Sequence, residues 1–88
     1  MLESSVQRKI IEALEKAGWI THKVIASSKP GWPDVEAFKN RRSVFIECKR
    51  PGKEADPLQR YRLKKLQEHG FEVIENADSV EHVRHLLR

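Results

Sequence analysis

Three side chains near the middle of the chain have types and spacing suited to phosphodiester hydrolysis: Asp34, Glu47 and Lys49. Asp34 stands just before the run Val35-Glu36-Ala37-Phe38, and Glu47-Cys48-Lys49 closes the run Val44-Phe45-Ile46. Two close carboxylates repel unless a positive charge lies between them. Oxygen ligands of this kind suit Mg²⁺ or Mn²⁺, which keep several waters and accept phosphate oxygens. A lysine beside them can orient an attacking water or stabilise charge developing on phosphate. An isolated Glu-x-Lys arises often by chance. An Asp before one strand, a short turn, and Glu-x-Lys after a second apolar run form a more specific set.

The elements must bring these groups together. Side chains alternate faces along a strand, so Glu47 and Lys49 share one face and Val44, Ile46 and Cys48 the other. Asp34 and Glu36 lie opposite to Val35 and Ala37. A two-residue turn at Asn40-Arg41 pairs Lys39 with Arg42 and sets Asp34 directly across from Glu47, with Cβ atoms ~5 Å apart. One residue more or less in that turn moves Asp34 off the face. Upstream, Val6, Ile10, Leu14 and Ala17 recur at helical steps over residues 3–17, and Gly18 ends that helix. Glu3 and Gln7 fall along its apolar stripe. Residues 19–25 read as a first strand, and 26–33 as a loop broken by two prolines and a glycine. Asp56 caps a helix that starts at Pro57, buries Leu58, Leu63 and Leu66, and stops at Gly70. Residues 71–74 form a further strand. Asp78, with Glu81 in a capping box, opens a last helix. The order α-β-β-β-α-β-α predicts an α/β domain spanning residues 1–88, a mixed four-stranded sheet flanked by helices.

Composition narrows the partners. Residues 39–65 hold ten Lys/Arg against three acids, a net of +7, while the other 61 residues carry a net of −3. Such asymmetry points to a polyanion against the middle of the chain, or to a solvated basic face. The single cysteine excludes an intrachain disulfide, and no Cys/His set has zinc spacing. The absence of long apolar runs or a signal pattern leads to the expectation of a cytoplasmic protein, in a host-cell cytoplasm if phage-encoded.

These residues resemble the PD-(D/E)XK nuclease superfamily and, within it, the VRR-NUC family. Pro33-Asp34 supplies the "PD" and Glu47-Cys48-Lys49 the "EXK"; Gly31-Trp32-Pro33-Asp34 fits G-x-P-D. Lys49-Arg50-Pro51-Gly52 resembles the family's lysine and Pro-Gly turn, Asp56-Pro57-Leu58-Gln59 its P-L-Q helix start, and Phe71-Glu72-Val73 its strand after glycine. Glu3, followed by Gln7, matches the acidic residue of its first helix. The resemblance implies a restriction-endonuclease-like core and a stand-alone, viral or phage-type DNA endonuclease. Similarity to archaeal-type Holliday junction resolvases implies a homodimer that cuts four-way junctions with Mg²⁺ or Mn²⁺. It further implies Asp34, Glu47, the Cys48 carbonyl and Glu3 (directly or through water) as metal ligands, Lys49 as catalytic lysine and Gln59 as a site-supporting residue.

Other residues carry two readings. Ser27, Ser28, Lys29, Arg50 and Lys53 are candidate phosphate contacts, or polar loop residues. Trp32 is a candidate to stack on a base, or to fold back on the core. Glu36 is within reach of a metal, or a charged residue near a sheet edge. Cys48 reads as a small core residue. His22, His69, His82 and His85 show no ligand pairing. Two alternatives compete with a junction endonuclease: a nuclease for flaps, nicks or linear DNA, and a non-catalytic DNA- or protein-binding module.

Overall fold

The computed structural model describes residues 1–88. Its elements are α1 (Glu3–Lys16), β1 (Ile20–Lys23), β2 (Val35–Lys39), β3 (Arg42–Cys48), α2 (Pro57–Glu68), β4 (Glu72–Ala77) and a 3₁₀ helix (Val80–Leu86). The sheet order is β1-β2-β3-β4, with β1/β2 and β2/β3 antiparallel and β3/β4 parallel. Helix α2 makes the crossover that the parallel pair requires.

One face of the sheet carries the core. Val6, Ile10 and Leu14 of α1 pack on Val35 and Ala37 of β2 and on Val44, Ile46 and Cys48 of β3. Trp19, Ala77, Val83 and Leu86 complete the cluster. The strand alternation that buries Ile46 and Cys48 against α1 sends Glu47 to the opposite face. There α2 covers chiefly the β4 side, and Leu63 is its one fully buried residue.

Asn40 and Arg41 have φ of 49° and 68°, the left-handed pair of a two-residue hairpin turn. Lys39 pairs with Arg42 and Val35 with Ile46. The expected register therefore holds up to the position where Asp34 meets Glu47.

Several expected boundaries are corrected. β1 ends at Lys23, and Ile25 lies free in the loop at 89% exposure. β4 starts at Glu72 because the Phe71 N–H is spent closing α2 on Leu66 O. It runs on to Ala77 through an irregularity opposite Glu47. Leu58 is not buried; it sits half-exposed in the first turn of α2, over Gly31. Neither the last α-helix nor its capping box forms. The segment is 3₁₀, with Ser79 at its N-cap and no side-chain cap bond. Asp78 pairs with His82, and Glu81 with Arg84. Val80, Val83 and Leu86 recur every three residues, the period at which side chains align in a 3₁₀ helix. The Trp19 indole donates to Leu86 O at 2.7 Å, fixing the end of that segment.

Candidate metal and nucleic-acid site

Asp34 lies immediately before β2, with buried Pro33 on one side and buried Val35 on the other. Its Oδ2 accepts from the Cys48 N–H at 3.1 Å, which ties the "PD" residue to the strand carrying Glu47. The preceding loop is held by Gly31. Its φ is +80°, and a Cβ there would lie 2.8 Å from Leu58 Cγ. Only glycine meets both demands, so the α2 N-terminus can close directly over the loop that aims Asp34.

Glu47 is the one buried charged residue, at 0% exposure, and neither carboxylate oxygen has a hydrogen-bond partner. The Lys49 ammonium lies 3.3 Å from Oε2, an ion pair without hydrogen-bond geometry. Burial, then the Asp34 charge, pushes the Glu47 carboxyl up to about 8; Lys49 opposes this only in part. A buried carboxylate left in this state is costly without further positive charge. A divalent ion held between Asp34 and Glu47 would supply it. Mg²⁺ commonly takes one or two carboxylates and fills its remaining positions with water and phosphate oxygens. Asp34 and Glu47 fit that donor set. No group of three or more His, Cys, Asp or Glu side chains forms a complete cage.

The other expected site residues fall at different distances from this pair. Lys49 Nζ is 3.9 Å from Glu3 Oε1, so the lysine stands between Glu3 and Glu47. Cys48 is fully buried, and burial pushes its thiol up, keeping it protonated and leaving only its carbonyl as a plausible donor. Gln59 Oε1 accepts from Asp56 N at 2.9 Å and Asp56 Oδ1 from Gln59 N at 2.9 Å, a closed capping box at the start of α2. Arg50 and Lys53 line a cleft of about 470 Å³ together with Leu2, Glu3, Lys49 and Glu54. Ser27, Ser28 and Lys29 are exposed, with the Lys29 N–H on Ser27 Oγ.

Trp32 folds back on the sheet. Its Nε1 donates to Glu36 Oε2 at 2.8 Å, and its ring meets Phe45 edge-on at 5.9 Å. Glu36 also pairs with His22 Nδ1 at 3.1 Å. Both oxygens of Glu36 are thus engaged within the protein.

Asn76 was not singled out from the sequence. Its φ is 57°, and its Oδ1 accepts from the Ala55 N–H at 2.6 Å, beside the sheet irregularity opposite Glu47. Asn tolerates left-handed backbone better than most residues, but an Asn flanked by Glu75 and Ala77 gives no turn signal in sequence.

With this geometry in place, known proteins show where the chain belongs. No protein-family model matches it. It is 32% identical over 73 residues to "Putative nuclease p44" of Acyrthosiphon pisum secondary endosymbiont phage 1, covering 82% of this chain and 78% of that protein. A solved structure titled "VRR_NUC domain" matches with a TM-score of 0.82 and 24% identity, over 97% of this chain and 92% of the other. A second, "VRR_NUC domain protein", matches with a TM-score of 0.74 and 20% identity, over 99% and 85%. The chain belongs to the same family as that phage putative nuclease, and its fold is the mixed α/β fold of the VRR_NUC domains.

Proposed function

We propose that this chain is a divalent-metal-dependent DNA endonuclease that acts on branched DNA, with four-way junctions as substrate and a homodimer as the working form. The observation that carries the reading is Glu47: fully buried, with no hydrogen bond to either oxygen, next to Asp34 and with Lys49 Nζ 3.3 Å from Oε2. Replacing a buried ion pair by well-packed apolar side chains is often neutral or stabilising, so the fold alone does not call for Glu47. Its sense is chemical.

Asp34, Glu47 and the Cys48 carbonyl would hold Mg²⁺ or Mn²⁺, with Glu3 reaching it through water. Bound there, the ion would polarise the scissile phosphate and acidify a water. Asp34 is pre-aimed by the Cys48 N–H. Lys49 orients the attacking water and stabilises the charge that grows on the phosphate. Gln59 holds the α2 N-terminus through its capping box and thereby supports the Gly31 loop. Arg50 and Lys53 bind backbone phosphates in the cleft beside the site, and the exposed Ser27, Ser28 and Lys29 add contacts on the loop.

Paired cuts across a junction call for two symmetric sites, which a twofold dimer provides. The free outer edge of β1 and the exposed Ile20, at 72%, support an interface there. The test sets a four-way junction, a flap and a linear duplex side by side with Mg²⁺, and scores which strands are cut. Symmetric cuts confined to the junction, from a species of about twice 10.3 kDa by sedimentation, are expected. Equal cutting of all three substrates would refute the junction preference, and a monomer making paired cuts would refute the dimer.

A further inference from the structure

We infer that Asn76 is a positioning residue, whose side chain clasps the basic loop between Lys49 and Asp56 onto β4 and so presents Arg50 and Lys53 to the DNA backbone. This rests on the nucleic-acid reading above but concerns a residue outside the metal site.

The loop leaves β3 at Lys49 and returns at Asp56, the N-cap of α2. It is anchored to consecutive residues of β4. At its start the Lys49 N–H donates to Ala77 O at 2.9 Å. Near its end the Ala55 N–H donates to Asn76 Oδ1 at 2.6 Å. Between these points the chain is exposed from Arg50 to Glu54, with an Arg50 O to Lys53 N–H turn at 3.1 Å.

The sheet is irregular at this spot. Ile46 pairs with Ile74 but Cys48 pairs with Ala77, so β4 spends one residue more than β3 opposite Glu47. An inserted residue of this kind re-aims side chains next to functional sites. Here it puts Asn76 in the left-handed region and turns its amide toward the loop. Ala55 is 2% exposed, and Asn76 Oδ1 is the partner of its N–H, so withdrawing that amide leaves the N–H unpaired. The loop must then loosen to solvate it. Arg50 and Lys53 lose their fixed place, and ordering them falls to the binding step.

Asn76→Gly removes the acceptor without backbone strain, because glycine accepts the positive φ. Asn76→Asp tolerates the same backbone and retains an acceptor. The measurement is anisotropy of a fluorescein-labelled four-way junction, titrated at several salt concentrations with Ca²⁺ replacing Mg²⁺. Losing one or two phosphate contacts should flatten the slope of log K against log salt by about 1 to 2 and weaken binding about tenfold at moderate salt. Asn76→Gly should show both changes, and Asn76→Asp should keep the wild-type slope. General destabilisation would reduce the active fraction without altering that slope. Wild-type affinity and slope in Asn76→Gly would overturn the proposal. Should that variant not fold, the Ala55 amide of the wild-type chain carries the test. Protection from hydrogen exchange supports the clasp, and exchange at the rate of a free loop overturns it. A wild-type chain that binds no DNA would instead refute the nucleic-acid reading, and the loop's role with it.

Discussion

Glu47→Gln separates what Glu47 costs the fold from what it does for the chemistry. The carboxyl moves from 4.5 to about 8 because it is buried and faces Asp34. A raised carboxyl pKa means that the folded chain binds more protons than the unfolded one between about pH 4.5 and 8. Stability contributed by this group is therefore present at low pH, declines as pH rises through that window, and levels off above it. Each pKa unit corresponds to about 1.4 kcal/mol. The full window gives a ceiling of about 5 kcal/mol, and sharing of charge with Asp34 brings the expectation to about 2–4 kcal/mol. Glutamine keeps the shape and cannot ionise. In EDTA at pH 9, Glu47→Gln should melt roughly 10 °C or more above wild type, since about 1 kcal/mol moves the Tm of a domain this size by 4–8 °C. At pH 5 the two should agree within a few degrees. Adding Mg²⁺ or Mn²⁺ at pH 8 should raise the wild-type Tm and barely move the variant, while cleavage by the variant falls at least about 10²-fold. Parallel melting curves across pH, or a variant less stable than wild type at pH 9 in EDTA, would refute the argument.

Three further outcomes follow from the geometry. Lys49→Ala should abolish cleavage while junction binding survives, as gel shifts and product gels would show together. Arg41→Gly should stabilise the chain by about 0.5–1 kcal/mol in urea melts, since Arg41 pays for a φ of 68° that glycine adopts freely. Gly31→Ala should cost about 1–3 kcal/mol and reduce cleavage, because its Cβ would meet Leu58 Cγ at 2.8 Å and the loop would have to move Asp34.

The site's central geometry was legible because strand alternation and turn length are strict rules. Once Asn40-Arg41 formed the turn, the register of β2 on β3 carried Asp34 to Glu47. Helix α1 was legible because Val6, Ile10 and Leu14 mark one stripe. What escaped depends on contacts distant in sequence. The last helix is 3₁₀ because its apolar period is three and Trp19 holds Leu86 O, neither of which a cap-based reading weighs. Trp32 had two open readings, and a carboxylate four residues ahead decided between them: Glu36 takes its N–H. Asn76 escaped because its partner Ala55 is 21 residues away and the sheet irregularity that orients it leaves no mark in composition.

The metal site proposed at Asp34 and Glu47 is the point on which the nuclease mechanism turns. It is tested most directly by incubating a labelled four-way junction with wild type and with Asp34→Ala, each in EDTA and after Mg²⁺ or Mn²⁺ is restored in excess. No cleavage is expected in EDTA, with recovery on adding the metal for wild type and none for Asp34→Ala. Cleavage by wild type undiminished in EDTA, or full activity of Asp34→Ala, would contradict it.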